Sequence, residues 1–237
     1  MLFDVVEERR AQVEVPVASR LKLVEGEVEE QKRGFKVLND DVHERLGKLQ
    51  QYALDSILDS ALSGYTSSLK EWARKTTASV VYDSNVCPFT AECLFQMVRG
   101  RPNISIVATT TDGDVFGAFY SVAVTEQDTV FYDPNMFIFS FESHGRCATP
   151  RCFFVKEWLK NDAYVCFWKN CSSWFVELGV YRAGEFFLGN EMCDSYCWKI
   201  SNVFEGLKDT TLTGVSGSWD EDGPHHHCSR LVAFQLW

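Results

Sequence analysis

The sequence lacks the short motifs by which several classes of enzyme and binding protein are recognised. Its nine cysteines form no Cys-x-x-Cys pair, and no Gly-x-Ser-x-Gly nucleophile elbow occurs. The segment 109–120, TTTDGDVFGAFY, has neither the several glycines of a phosphate-binding loop nor the Lys or Arg and helix start that follow one. It also does not open a calcium loop of oxygen ligands ending in Glu. Dithiol oxidoreductases, serine hydrolases, phosphate-loop proteins and EF-hands are therefore disfavoured.

A long apolar run is also missing near the start of the chain. The segment MLFDVVEERR becomes charged at once, whereas a signal peptide or a membrane span needs a long apolar stretch. Without a secretory signal, the cysteines are expected to pack as small apolar groups in a reducing compartment rather than to form disulfides. We therefore expect a cytoplasmic protein that could also enter the nucleus.

Basic side chains are too few to balance the acidic ones. The formal net charge is −10, and residues 76–237 contain 11 basic and 19 acidic side chains. Such a surface repels phosphate backbones and anionic lipid, which disfavours tight non-specific binding to nucleic acid or membranes. A positive patch would still form if the loops that hold three basic pairs met, so DNA binding stays open as an alternative. These pairs are Arg99 with Arg101, Arg146 with Arg151, and Lys156 with Lys160.

Proline is absent from residues 18–62, where Glu, Lys, Arg, Gln and Leu dominate, and this composition predicts a long helix. Apolar residues recur in steps of three and four that add to sevens, which predicts a coiled coil of roughly four heptads and homodimerisation. Gln31 and Arg45 interrupt this seam, so an amphipathic helix docked on the chain's own domain is the alternative. The seam residues are Leu21, Val24, Val28, Phe35, Leu38, Val42 and Leu49.

The rest of the chain is rich in short strand-like segments. A helix is predicted over 67–74, and another, AECLFQMV, follows Thr90, which suits an N-cap. An Asp-Gly pair between two strand-like segments predicts a tight hairpin, with Asp112 and Asp114 as turn residues. Further short strands continue to the last residue. The pattern predicts an α+β, mainly β fold, an antiparallel meander closing into a sandwich, with a helical extension over 1–62 and the β domain over 63–237.

The order of these segments resembles that of TLDc domains, over about residues 66–237. VVYDSNVCPFTAECLFQMV is followed by TDGDVFGAFYS, then MFIFSF, EFFLGN and YCWKI, and LVAFQLW is similar to the family's terminal strand. The matching positions are Asp112, Gly113, Phe116, Gly117, Ala118, Phe119, Phe137, Phe139, Leu188, Gly189, Trp198, Leu236 and Trp237.

The resemblance implies a two-sheet antiparallel β-sandwich flanked by helices. TLDc proteins are linked to oxidative-stress resistance, several bind and regulate the vacuolar proton-pumping ATPase, and some act as nuclear transcriptional co-regulators. The family brings no established catalytic mechanism. We therefore expect a non-enzymatic protein-binding module without metal or cofactor, whose partner depends on loops such as SHGRCATPRC and NEMCDSYC that depart from the family pattern.

Histidines near the end of the chain form the most metal-like cluster. His225, His226 and His227 follow the acidic residues 220–222 and precede Cys228. In an extended strand His225 and His227 would share a side, and Cys228 or an acid could complete a site. The spacing matches no established zinc motif, so a solvated loop is preferred.

A second cluster lies in the segment ESHGRC. His144 or Arg146 could lower the pKa of Cys147 and activate its thiolate. No resolving Cys-x-x-Cys partner is present, so a polar loop between strands is preferred. Thiol-based or metal-based antioxidant activity is thus a further alternative, while Cys166 and Cys193 lie among aromatic residues and are expected to pack.

Overall fold

The structure is a computed structural model that describes residues 2–57, 63–169, 175–189, 195–215 and 226–237. The chain divides into two compact units, residues 1–49 and residues 50–237.

The first unit lies within one helix, α1 (Leu2–Ile57). Its sequence is rich in Glu, Lys and Leu, which favour helix, and ion pairs at helical spacing join Lys32 to Glu29 at 2.7 Å and Arg45 to Asp41 at 3.0 Å. The helix begins well before the predicted residue 18. The seven seam residues are exposed, and their coiled-coil role stays a prediction. They are Leu21, Val24, Val28, Phe35, Leu38, Val42 and Leu49.

The second unit contains the helices α2 (Ser63–Ala73), α3 (Ala91–Val98) and α4 (Ile200–Val203), and a 3₁₀ helix (Glu157–Asp162). Its strands are β1 (Ala78–Asp83), β2 (Ile104–Thr110), β3 (Val115–Tyr120), β4 (Phe131–Tyr132), β5 (Phe137–Glu142), β6 (Arg151–Phe154), β7 (Ala163–Phe167), β8 (Val176–Val180), β9 (Gly184–Leu188), β10 (Tyr196–Trp198) and β11 (Cys228–Leu236).

In the described part of the chain these strands form two antiparallel sheets, which confirms the predicted mainly β, α+β fold. The first sheet has the order β1-β11-β2-β3-β5-β6, and the second has the order β10-β9-β8-β7-β4. The prediction of a simple meander was wrong for the first sheet, because β11 lies between β1 and β2. The side chains of β11 alternate between the two apolar layers that cover the sheet, with Leu231 in one and Val232 in the other.

Two apolar layers flank the first sheet. On one side its residues face the second sheet, where the ring of Phe116 lies 5.7 Å from that of Phe186. On the other side α2 covers the sheet, with Leu69 fully buried and the ring of Trp72 stacked 5.4 Å from that of Phe141. Burial of each such large side chain stabilises the fold by about 1.5–3 kcal/mol.

The local signals were mostly correct. Thr90 caps α3, since its hydroxyl accepts a hydrogen bond from the backbone N–H of Cys93. The Asp-Gly hairpin joins β2 to β3, and Gly113 has φ +91°, which side-chain-bearing residues rarely adopt. Two predicted strands are shorter than expected, because β6 gives way to the 3₁₀ helix and β10 to α4.

Candidate functional site

A groove of about 540 Å³ lies where the C-terminal end of α2 meets the ends of β3, β5 and β6. We call it the basic groove. The left-handed residue Arg74 (φ 54°) ends the helix, and the chain turns there toward β1. The described groove lining contains three cations and four aromatic rings but no Asp or Glu. These residues are Arg74, Lys75, Lys160, Trp72, Phe119, Phe137 and Phe154.

The aromatic wall of the basic groove is continuous. Phe119 stacks on Phe137 with ring centroids 4.8 Å apart, and Phe154 meets Phe137 edge-on at 5.4 Å while remaining about half exposed. Phe119 and Phe137 are buried, so Phe154 is the ring of these three that offers apolar contact to a ligand that the cations attract. The groove therefore suits a negatively charged group that has an apolar neighbour.

The charges around the basic groove are not cancelled. Lys160 pairs with the exposed Glu157 at 2.5 Å, but no carboxylate in the described residues pairs with Arg74 or Lys75. The buried carboxylate of Asp133 lies near the floor, where it accepts hydrogen bonds from the Ser121 hydroxyl at 2.7 Å and from the backbone N–H of Asn135 at 3.0 Å. These donors are neutral, so the carboxylate of Asp133 offsets part of the positive charge of the groove.

A second cavity, of about 570 Å³, lies on the outer face of the second sheet. We call it the carboxylate pocket. Strand alternation builds it: Val165 of β7 and Leu178 of β8 belong to the core between the sheets, so the neighbouring Tyr164 and Glu177 face outward. Its described lining residues are Val130, Tyr132, Asp162, Tyr164, Trp168, Glu177, Val180 and Tyr181.

Two buried glutamates sit at the carboxylate pocket. Glu177 accepts hydrogen bonds from the Tyr164 hydroxyl and, at 2.9 Å, from Trp168 Nε1. Glu185, behind it on β9, accepts from the backbone N–H of Arg182 at 3.1 Å. Burial raises the pKa of both carboxyl groups, and the charge of Glu185 raises that of Glu177 further. Sequence analysis missed both, although a charged residue inside an apolar strand segment was the available signal.

The chain matches the sequence model of the TLDc domain over residues 55–215. It belongs to the TLDc domain family. The resemblance inferred from the order of the motifs is thus confirmed. The TLDc family as a whole is linked to oxidative stress. A comparison with curated proteins found no match.

The motif residues have structural positions in the TLDc domain. Phe116 and Ala118 face the core between the sheets, and Phe119 faces the α2 side. A Cβ at Gly117 would lie 1.9 Å from the carbonyl oxygen of Ile106, so only glycine fits there. Asp112 and Gly113 form the hairpin turn, Gly189 follows β9, and Trp198 ends β10.

Asp114 is not the simple turn residue that the sequence predicted. Its side chain is buried, and its Oδ1 lies 2.6 Å from Arg146 Nη2 and 2.7 Å from His144 Nδ1. Arg146 also donates to the backbone carbonyl oxygens of Thr211 at 3.2 Å and Leu212 at 2.9 Å. The guanidinium therefore ties three segments of the TLDc domain together, and we assign it a structural role instead of thiol activation.

The described cysteines of the TLDc domain are free thiols, and several pack in the core as predicted. Burial raises the pKa of Cys166 to about 12, with the charge of Glu177 adding to it, and burial raises the pKa of Cys228 to about 12. Both are therefore protonated at neutral pH, which disfavours thiolate chemistry at these positions. Cys193 lies outside the described residues.

The histidine cluster is only partly within the described chain, because residues 220–222 and His225 lie outside it. His226 is buried, with its ring 5.2 Å from that of Phe116, and Cys228 is buried on the same side. His227 is exposed. Alternation therefore separates Cys228 from His227, so Cys228 would not complete a site with His227, while His225 and the acids that were the other candidates lie outside the described residues. No group of three metal-binding side chains occurs within the described residues.

Two of the basic residues considered for DNA binding make hydrogen bonds to different parts of the domain. Arg99 donates to the carbonyl oxygen of Thr125 at 2.9 Å, and Lys156 donates to that of Ser201 at 2.9 Å. Of the six residues only Lys160 lines the basic groove. None of the described helices contains an apolar stretch sufficient to cross a membrane.

Proposed function

We propose that this TLDc domain is a non-enzymatic protein-binding module of the oxidative-stress response, and that the vacuolar proton-pumping ATPase is its partner. Family membership supports the stress connection. The basic groove is the observation that carries protein binding: it joins Arg74, Lys75 and Lys160 to the exposed ring of Phe154. An acidic segment of a partner with an adjoining apolar side chain complements both features.

The N-terminal helix contributes valency to this function. The exposed seam residues of α1 would be covered by a second copy, and two linked domains bind a multisubunit partner more tightly than one. In this proposal the protein is a homodimer that binds its partner through the basic groove of each copy. It acts in the cytoplasm and also in the nucleus.

The test is direct binding of the full chain to the purified ATPase, measured by biolayer interferometry together with ATP hydrolysis. We expect Arg74→Glu to weaken binding about tenfold, because it replaces attraction by repulsion in the groove. The matched control is Lys208→Glu, an exposed lysine outside the groove lining. Absence of binding by the unaltered chain would refute the ATPase as partner. Equal losses in both variants would refute the groove as the contact.

DNA binding is the competing function, since cations beside an exposed aromatic ring also suit a phosphate and a stacked base. Mixed-sequence single-stranded and duplex oligonucleotides, titrated by fluorescence anisotropy at physiological salt, separate the two. We expect no saturable binding. Saturable binding that Arg74→Glu abolishes and Lys208→Glu preserves would replace the protein partner by DNA.

A further inference from the structure

The buried acids of the TLDc domain differ in their partners, and Asp133, below the basic groove, accepts only from neutral donors. Asp83 is fully buried and is met by Arg230, whose Nε and Nη2 lie 3.0 and 2.5 Å from its two oxygens. Asp114 is met by Arg146. Glu177 and Glu185, by contrast, have no ion pair with any Lys or Arg of the described chain, and their hydrogen-bond donors are neutral.

The lack of an opposite charge beside a buried carboxylate is unfavourable for the folded state. A carboxylate withdrawn from water is stabilised fully only by an opposite charge or by many donors. Glu177 and Glu185 are about 5% exposed, and the Tyr164 hydroxyl donates to Glu177 and lies 3.5 Å from Glu185. Two like charges are thus held near one another, with one of them facing a cavity.

The walls of the carboxylate pocket suit a cation that has an organic body. Aromatic faces attract alkylammonium and guanidinium groups. Tyr132 and Tyr181 are more than half exposed at the rim, and Trp168 lies deeper beside Glu177. The guanidinium of the adjacent Arg182 lies 5.1 Å from the centre of the Tyr181 ring, so a cation of the chain itself already lies over this ring.

The volume and the charges of the carboxylate pocket further restrict the class of ligand that it can bind. A volume of about 570 Å³ exceeds that of a single metal ion and falls within the range of pockets that hold small organic groups. Asp162 adds an exposed carboxylate at the rim, and no Lys or Arg is found among the described lining residues. Anionic ligands are therefore repelled.

We propose that the carboxylate pocket binds an organic cation, an ammonium or guanidinium group on an alkyl chain. Glu177 is the anion that faces the group, and Tyr132, Trp168 and Tyr181 surround it. The cation comes either from a free amine or from a Lys or Arg side chain of a protein. This site is separate from the basic groove and does not depend on the proposed partner.

The experiment uses the ¹⁵N-labelled full chain and follows the indole N–H resonance of Trp168, identified with Trp168→Phe. The first probe is n-butylammonium, and its neutral counterpart is n-butanol. We expect a saturable shift with the ammonium and a much weaker response to the alcohol. Equal responses to both, or no saturable shift with either the ammonium or the peptide described below, would overturn the proposal.

Variants locate the site. Glu177→Gln should weaken n-butylammonium binding by about tenfold or more, because it removes the facing charge. Asp162→Asn, an exposed change that leaves the core intact, should weaken it by a smaller factor. Glu205→Gln, an exposed acid away from the pocket lining, is the matched control and should leave the affinity unchanged. If neither Glu177→Gln nor Asp162→Asn weakens binding more than the control, the assignment is wrong.

A peptide distinguishes the two sources of the cation. A glycine-rich peptide with one central lysine is compared with the same peptide carrying norleucine. Binding of the lysine peptide at least about tenfold tighter than n-butylammonium assigns the pocket to a protein side chain, because peptide backbone contacts then add to those of the cation. Equal affinities assign it to a free amine, and both outcomes support the shared chemistry. A norleucine peptide that binds as tightly as the lysine peptide would overturn it.

Discussion

Arg146→Met removes the cation that holds the buried carboxylate of Asp114. Loss of one partner of a buried ion pair costs about 3–5 kcal/mol, because the other charge stays buried without compensation. The side chain of Arg146 is 27% exposed, so water already shields part of the pair, and His144 stays 2.7 Å from the carboxylate. We therefore expect the lower end of the range, a loss of about 3 kcal/mol in the free energy of unfolding.

The assay is urea unfolding followed by tryptophan fluorescence. The control is Arg151→Met, which removes an exposed guanidinium lying 5.3 Å from the centre of the Phe153 ring. Its loss should stay below about 1 kcal/mol, the usual value of an exposed cation–π contact. A loss for Arg146→Met no larger than that for Arg151→Met would refute the structural role of Arg146.

The same variant tests the thiol interpretation of the ESHGRC segment. If Arg146 activated Cys147, Arg146→Met would slow alkylation of that thiol while stability stayed unchanged. The structural role predicts the reverse, a large loss of stability and no slower alkylation of Cys147 in the folded protein. Mass spectrometry of the alkylated peptide, under conditions where both proteins are folded, measures the rate.

Three further predictions concern the fold, the helix and the buried acids. Gly117→Ala should lower the free energy of unfolding by about 3 kcal/mol or more, because its Cβ would lie 1.9 Å from the Ile106 carbonyl oxygen. Gly64→Ala is the control in urea unfolding: a Cβ there has nothing within 4 Å, so this change should raise the free energy of unfolding by up to about 1 kcal/mol. Deletion of residues 1–62 should convert a dimer to a monomer in light scattering, and a monomeric full chain would contradict the coiled coil. The pKa of Glu177 is raised in the folded state, so the free energy of unfolding should fall as pH rises between the ordinary carboxyl pKa and that raised value. Urea unfolding over a series of pH values measures this slope, and Glu177→Gln should remove the part that Glu177 contributes. An unchanged slope in Glu177→Gln would argue against this contribution.

The parts of the fold that sequence reasoning found correctly are local. The Thr90 cap and the Asp-Gly hairpin each depend on a few adjacent residues, whose side-chain chemistry and permitted φ angles determine the conformation. The order of strands in the first sheet is not local, because β11 pairs with strands more than a hundred residues earlier. Spacing along the chain carries no information about such pairing.

The candidate sites, like the strand order, depend on contacts between residues that are distant along the chain. The basic groove joins Arg74 to Lys160, and Asp114 meets Arg146, which lies 32 positions later in the sequence, so no motif could contain either group. Glu177 was closer to recognition, because it interrupts the apolar segment WFVELGV, whereas Glu185 directly precedes the apolar run FFL. Their shared contact with Tyr164 depends on the pairing of β7, β8 and β9, which only the structure reveals.

The central place of β11 also constrains how the polypeptide is made. Residues 228–236 must leave the ribosome before the six-stranded sheet can form in the described arrangement, so β1 and β2 are synthesised long before the strand that separates them. Pairing across such distances along the chain is slow relative to local contacts. A nonsense mutation shortly upstream of residue 228 would therefore detach β1 from the other strands and leave β1 and β2 without their shared partner, which favours aggregation or degradation of the product.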